Sequence, residues 1–452
     1  MLSHSSELGG AERSMIDLFD YWTKKGVVES HFIIRTPLKN MVPELRRRGW
    51  RYDTLYYTNW SQRNPSKEAE SVFRNAIFNI EAIFAIEKLI QKIKPDVVMT
   101  NTIVSPWAAL AANFQGVPHI WFVREYGDID HQHVFELGRE KMLQDIDILS
   151  DLIVTNSKTL AKHISEYVSK EKVIPLYTPF DLEGLEKKSL QKVTNPFKRK
   201  DSLKLVITGR IAPSKGQSEA AEAAAKLIKQ GYDSELCVIG LPADPADADN
   251  LNNVIEKYGI SDSVHLVGQQ SNPLAILKLA DVGIMASRQE AFGRVTFEYM
   301  ATGRPVVGAN SGATPEMIDD GVNGYLYDSG DVESLTDKLL LYAKNRDLIN
   351  QHGAAAKLKT EKMMASQFTA DKLFERIQTA LATGQYKRHP LNFSHRWLEY
   401  PSIAQQYIKD SGAISLKRLL YKRLRSRLKW GYLTGMRVVN FIRRGGKRSS
   451  KQ

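Results

Sequence analysis

Ser287-Arg-Gln-Glu-Ala-Phe-Gly-Arg-Val-Thr-Phe-Glu298, followed by Gly303-Arg-Pro305, is the stretch that decides how this 452-residue chain is read. It sets two carboxylates, Glu290 and Glu298, around a Phe-Gly turn that opens a short helix. Gly293 lacks a Cβ, so backbone there can approach a ligand closely. Gly303 and Pro305 are stop signals that bound the helix. Its first turn presents unpaired N–H groups and the positive end of the dipole, a geometry that suits a diphosphate. Glu298 lies about one turn further in, within reach past the phosphates. Two glutamates at this spacing are common by chance and mostly lie on solvated faces, so the flanking sequence has to give the pair its meaning. Ala280-Asp-Val-Gly-Ile-Met-Ala-Ser287 reads as a buried strand, and so does Val306-Val-Gly-Ala309. Gly312-Ala-Thr-Pro-Glu316 forms a second loop marked by Gly and Pro. Strand, glycine turn, helix and strand make the phosphate-binding unit of doubly wound α/β folds.

Upstream, the strand Leu203-Lys-Leu-Val-Ile-Thr208 runs into Gly209-Arg-Ile-Ala-Pro-Ser-Lys-Gly216. Arg210 offers a fork of donors and Lys215 a point charge, a combination that can clamp a diphosphate. A lone Arg and Lys in a loop are more often simply solvated. Val264-His-Leu-Val-Gly268 is a further strand of this half. Between Pro175 and Ser202 the chain turns to Pro, Lys and polar residues, which places a linker there.

The first half alternates in the same way. His31–Ile34, Asp96–Thr100, Ile120–Val123 and Leu152–Thr155 read as strands, the last three running into polar loops. A helical stripe spans residues 75–93. Gly9-Gly10-Ala11-Glu12 precedes a helix with apolar residues at Met15, Leu18, Phe19 and Trp22. A Gly-Gly turn into a helix N-terminus favours anions, although most such pairs are plain turns.

Taken together, Glu-x7-Glu enclosing Phe-Gly, the Gly-x-Pro-Val-Val after it and the Gly-Arg-x4-Lys-Gly loop resemble the family 4 glycosyltransferases. The resemblance covers roughly residues 1–385. It implies an α/β GT-B fold, two Rossmann-like domains facing across a cleft: 1–180 on the acceptor side, 203–365 for the donor, and a helix over 366–385 crossing back to the first domain. It implies a retaining transfer from a nucleoside-diphosphate sugar to a glycan or lipid-linked glycan. On this pattern Glu290 meets the donor sugar's hydroxyls and Glu298 the ribose. Arg210 and Lys215 neutralise the diphosphate beside Gly209, and the backbone around Phe292, Gly293 and Val295 meets it too. Gly9 and Gly10 face the same phosphates from the first domain. Arg294 counts with these donor-binding residues by position, but it departs from the small or apolar residue often found there, and its particular role is open.

Two further departures concern the first domain. Such families have a full strand before the Gly-Gly loop, and here only Met1-Leu-Ser-His4 precedes it, so the strand is short or the start is missing. Retaining enzymes of this fold often place a histidine after the strand at 120–123, where this chain has Arg124-Glu125; His119, His131 and His133 are out of register. Arg124 is the candidate for stabilising charge on the diphosphate and Glu125 for orienting an acceptor hydroxyl; pairing with each other or with neighbouring loops is the plainer alternative. Asp128-Ile-Asp130 and Asp145-Ile-Asp147 resemble metal-holding triplets, which arise easily by chance. The GT-B resemblance implies that Arg, Lys and helix N-termini handle the diphosphate, so no metal and no cofactor are expected.

Hydrophobic residues make up 42% of the chain, enough for two large cores and too many for a disordered protein. The single Cys237 excludes an internal disulfide and suits a reducing compartment. There is no run of about 18 apolar residues and the start is polar, so the expected location is cytoplasmic, on the inner face of a membrane. The net charge of +12 is local: residues 411–452 hold thirteen Lys or Arg and no Asp or Glu. Within the tail, 386–452, the leucines 416, 419, 420, 424 and 428 recur at helical spacing among basic residues, a basic amphipathic helix that fits an anionic membrane surface. Its aromatics are not interleaved for base stacking, so nucleic acid is not the expected partner. Two other readings stay open: a sugar-nucleotide epimerase of the same fold, and a non-catalytic protein binding nucleotide sugars or nucleic acid.

Overall fold

The computed structural model describes residues 1–64, 68–135, 138–366 and 369–383. Two lobes make up the unit formed by Met1–Pro65 and Phe78–Pro390. The basic tail, 386–452, lies outside the described residues.

The first lobe contributes β1 (Leu2–Ser3), β2 (His31–Ile34), β3 (Arg51–Thr54), β4 (Ser61–Gln62), β5 (Val98–Thr100), β6 (His119–Val123), β7 (Val134–Phe135), β8 (Leu152–Thr155) and β9 (Val173–Pro175). Seven of them form a parallel sheet in the order β3-β2-β1-β5-β6-β8-β9, while β4 and β7 pair antiparallel. All five residues of β6 are buried, as expected of an inner parallel strand covered by helices on both faces. β1 is only two residues long yet sits mid-sheet, pairing Leu2 with Ile33 on one side and Thr100 on the other.

The second lobe contributes β10 (Leu203–Thr208), β11 (Ser234–Ile239), β12 (Val264–Gly268), β13 (Val282–Met285), β14 (Val306–Ala309) and β15 (Gly324–Tyr327). They form a parallel sheet in the order β12-β11-β10-β13-β14-β15. Strand order reverses between β1 and β5 in one sheet and between β10 and β13 in the other. At such points the connecting helices leave towards opposite faces, opening a crevice at the carboxyl ends of the strands. This is the GT-B arrangement.

The segment read as a linker is more ordered than its Pro and Lys content suggests. Its helix Leu182–Ser189 packs on the second-lobe helices Pro273–Leu279 and Arg294–Ala301. Phe180 and Phe197 are buried in that lobe's core, and burying two aromatics outweighs the exposed lysines between them. The helix Ala370–Thr383 returns to the first lobe: Ala370, Leu373 and Ile377 join its core, and Trp22 donates its indole N–H to Ala370 O at 3.1 Å.

Candidate active site

The helix Arg294–Ala301 starts at Gly293, whose φ of 86° is left-handed backbone that a side chain would strain. Behind it Phe297, Tyr299 and Met300 are fully buried, which fixes the axis of the helix and aims its N-terminus outward. In the first lobe, the helix Gly10–Lys24 is held similarly by Met15, Leu18 and Trp22. Both N-termini open on one cavity of about 290 Å³. Its walls include Gly10, Arg124 and Glu125 from the first lobe, and Gly209, Lys215, Glu290, Phe292, Gly293, Arg294 and Val295 from the second.

Glu290 and Lys215 are joined at 2.5 Å. Burial pushes the Glu290 carboxyl up, but Lys215 and hydrogen bonds from Lys215 and Ser287 outweigh it and hold the group below its ordinary range. Opposite them, Arg124 donates from Nε to Asn101 Oδ1 at 3.0 Å, and Asn156 holds its backbone carbonyl at 2.9 Å. Its Nη2 is buried without a hydrogen-bond partner among the described residues. Burial lowers the Arg124 pKa to about 10, so the guanidinium stays charged near neutrality. Glu125 accepts from Thr102 Oγ1 at 2.9 Å and from Ile103 N–H at 2.8 Å, and burial raises its pKa. Arg124 and Glu125 therefore each bond the loop after β5 rather than each other, and both line the cavity.

Three of the singled-out residues lie off this wall. Arg210 is exposed, because the chain continues pairing beyond β10: Ile211 N–H donates to Leu241 O, Ala243 N–H to Ile211 O, and Ile211 is buried. Burying Ile211 on one side turns its neighbour to the other. Gly9 is the N-cap of the helix that Gly10 begins. Glu298 sits one turn down its helix, 3.8 Å from the Arg294 guanidinium, and burial raises its pKa.

Arg294 crosses the cleft. Its Nη1 donates to Asp17 Oδ2 at 2.8 Å and to Ser14 Oγ at 3.1 Å, and its guanidinium lies 4.4 Å from the Phe180 ring centroid. Glu316 bridges the lobes a second time, accepting from the N–H groups of Lys158 and Thr159 at 3.1 and 2.5 Å and from Tyr177 OH at 3.0 Å.

His131, Asp130 and Asn156 also line the cavity; from the sequence His131 is out of register and Asp130 part of a chance triplet, and only their position after β6 and β8 hinted at a place in the site. His119 is structural: it is buried against Thr100 at 2.9 Å, and burial lowers its pKa to about 3. Three of the four triplet carboxylates are also committed, while Asp145 is buried with, among the described residues, only Lys141 near it, at 3.7 Å. Asp130 accepts from the N–H groups of Tyr126 and Gly127, Asp128 pairs with Arg139, and Asp147 with Lys172.

Two family descriptions match the sequence of this chain, "Glycosyltransferase Family 4" over residues 8–183 and "Glycosyl transferases group 1" over residues 191–359. The chain belongs to the family 4 glycosyltransferases. This family member is 26% identical over 232 residues to the N-acetyl-alpha-D-glucosaminyl L-malate synthase of Bacillus anthracis, a match covering 51% of the chain and 59% of the relative's length. It is 27% identical over 335 residues to the lipopolysaccharide core biosynthesis glycosyltransferase LpsE of Rhizobium meliloti, covering 73% of the chain and 84% of that protein. Among solved structures, Anabaena HepE in complex with UDP and glucose superposes with a TM-score of 0.65 at 18% identity, over 84% of this chain and 98% of that one. A glycosyltransferase of Rickettsia africae gives 0.64 at 19% identity over the same shares. These likenesses establish the GT-B fold.

Proposed function

We propose that this glycosyltransferase moves a sugar from a nucleoside-diphosphate sugar to a hydroxyl of a glycan or lipid-linked glycan, with retention, in the assembly of a cell-surface polysaccharide. The observation that carries the reading is the convergence on one cavity of Lys215 and Glu290 from one lobe, Arg124 and Glu125 from the other, and two helix N-termini. The UDP and UDP-glucose held by Anabaena HepE, and the lipopolysaccharide core role of LpsE, support the same class of donor and product.

In this reading Lys215, the unpartnered Nη2 of Arg124 and the helix N-termini take up the charge that develops on the departing diphosphate. Glu290 holds the sugar hydroxyls and Glu298 the ribose. Glu125 orients the acceptor hydroxyl, whose oxygen bonds the anomeric carbon as the carbon–phosphate oxygen bond breaks; the hydroxyl proton leaves with the diphosphate. Side chains and backbone meet the whole charge, without a metal.

A thermal-shift panel of nucleotides and nucleotide sugars in EDTA tests this on the full chain. One diphosphate sugar at about 100 times its dissociation constant should add roughly 2.7 kcal/mol. The same donor should be turned over by the wild type and not by Glu290→Gln. No shift with any nucleotide, or undiminished transfer by Glu290→Gln, would overturn the proposal.

Among the described residues no helix is long and apolar enough to cross a membrane. We assign attachment at the cytoplasmic face to residues 411–452, where each basic residue near an anionic leaflet contributes about 1 kcal/mol. Deleting 411–452 should release the protein from anionic vesicles, and continued binding would refute the anchor.

A further inference from the structure

Two cations of the second-lobe wall are neutralised by carboxylates already in the protein. Lys215 is held by Glu290, and Arg294 by Asp17. The two pairs differ in kind. Lys215 and Glu290 belong to one lobe, so their pairing is indifferent to the cleft. Asp17 belongs to the helix Gly10–Lys24, whose own N-terminus opens on the cavity, while Arg294 is the first residue of the opposing helix. The Arg294 side chain is 16% exposed and that of Asp17 32%. Its stem runs beside Gly10, where an added Cβ would stand 3.9 Å from Arg294 Cδ. Phe180 lies under the guanidinium, stacked in turn on Phe297 at 4.1 Å. The side chain is thus guided by an aromatic floor and lines the cavity, and across the cleft its head is restrained by Asp17 and Ser14. Guanidinium bonds a phosphate as readily as a carboxylate, in a fork geometry that lysine lacks.

We propose that Arg294 is a further diphosphate-binding residue, held across the cleft by Asp17 before the donor binds and handed over to the donor's diphosphate when it does. The inference rests on the donor-site reading above. Asp17 is then a competitor of the nucleotide, and the exchange of carboxylate for phosphate couples donor binding to release of the lobe-to-lobe bond. Arg294 also accounts for the neighbouring Glu298. That carboxylate has the same guanidinium at 3.8 Å, so the transfer of Arg294 to phosphate frees it to accept from a ribose hydroxyl.

The competing view is that Arg294 and Asp17 simply tie the lobes together, and the two views give opposite signs. Binding of UDP, GDP and ADP to the full chain is measured by calorimetry at low salt for the wild type, Asp17→Asn, Arg294→Met, Arg294→Lys and the double variant Asp17→Asn/Arg294→Met. Melting curves first establish that each variant is folded. On the exchange mechanism, Asp17→Asn tightens binding of the preferred diphosphate about two- to fivefold, the worth of a partly exposed ion pair. Arg294→Met weakens it about tenfold or more, and Arg294→Lys recovers part of the loss. Asp17→Asn has no effect once Arg294 is gone. Weaker or unchanged binding in Asp17→Asn, or unchanged binding in Arg294→Met, overturns the exchange and leaves the donor-site reading standing. Failure of the wild type to bind any of the three overturns that reading, and the exchange with it.

Discussion

The backbone of Gly312 touches that of Glu290: a Cβ on Gly312 would lie 2.4 Å from the Glu290 carbonyl oxygen and 2.7 Å from its amide nitrogen. The next residue, Ala313, donates its N–H to the same carbonyl at 2.8 Å. The loop after β14 is therefore the mould against which the Glu290 loop is cast. Glu290 is placed by a close approach between two backbones, with its side chain then captured by Lys215.

Gly312→Ala should accordingly remove activity more than stability explains. Its φ of 55° alone costs an alanine about 1–2 kcal/mol, and the clash must also push Glu290 off its position. Gly259→Ala is the control, since its φ is 64° but its Cβ would meet nothing within 4 Å. Melting temperature and transfer rate measured on both should show Gly312→Ala destabilised further than the control by its clash, with loss of turnover confined to Gly312→Ala. Equal turnover in the two variants would contradict the mould.

Glu12 predicts a pH dependence of folding. It is 2% exposed, accepts from Ser3 Oγ at 3.0 Å, and burial raises its pKa from 4.5 to about 6. A folded-state pKa above the unfolded one means that the folded protein holds the proton more tightly. The associated stability is complete below pH 4.5 and is lost as pH rises through about 6. The loss is about 2 kcal/mol. Glu12→Gln keeps an acceptor for Ser3 without titrating. The stability difference between wild type and Glu12→Gln, from urea unfolding on either side of this window, should shift against the wild type with rising pH. A difference independent of pH would refute the assignment.

The returning helix Ala370–Thr383 should owe its attachment to apolar contacts and little to charge. Leu373 is 1% exposed within the first-lobe core, whereas Lys25 and Asp371 are joined at 2.7 Å with nearly half of each side chain in solvent. Leu373→Ala should cost about 2–5 kcal/mol. Asp371→Asn should cost less than about 1 kcal/mol and leave Tyr21 and Lys25 with a weaker acceptor. Chemical denaturation of both variants decides it, and a larger loss in Asp371→Asn would reverse the ranking.

Much of the architecture is legible in the sequence, and the exceptions have physical causes. Strands β2, β8, β10, β12 and β14 are written as apolar runs ending in polar loops. β3, β9 and β15 are not; all three lie at sheet edges, where residues such as Arg51 are exposed and no apolar run is needed, whereas the edge strand β12 keeps one. β1 is hidden by its length, since two residues carry no period. Arg210 and Lys215 look alike in their loop, yet one faces solvent and the other Glu290. Their difference arises from the added bridge between Ile211 and Pro242, a pairing between segments about 30 residues apart.

The sequence by itself determined the two doubly wound lobes, the glycine turn into the Arg294–Ala301 helix, and the Glu-x7-Glu and Gly-Arg-x4-Lys-Gly motifs that mark the family. These follow from periodicity and backbone preference, which act over a few residues and are written locally. Only the tertiary structure decided that Arg294 reaches Asp17, that Glu316 accepts from Lys158 and Thr159, and that Arg124 and Glu125 face the cavity without pairing. Those relations join residues that meet only after both sheets have formed. No local pattern encodes them.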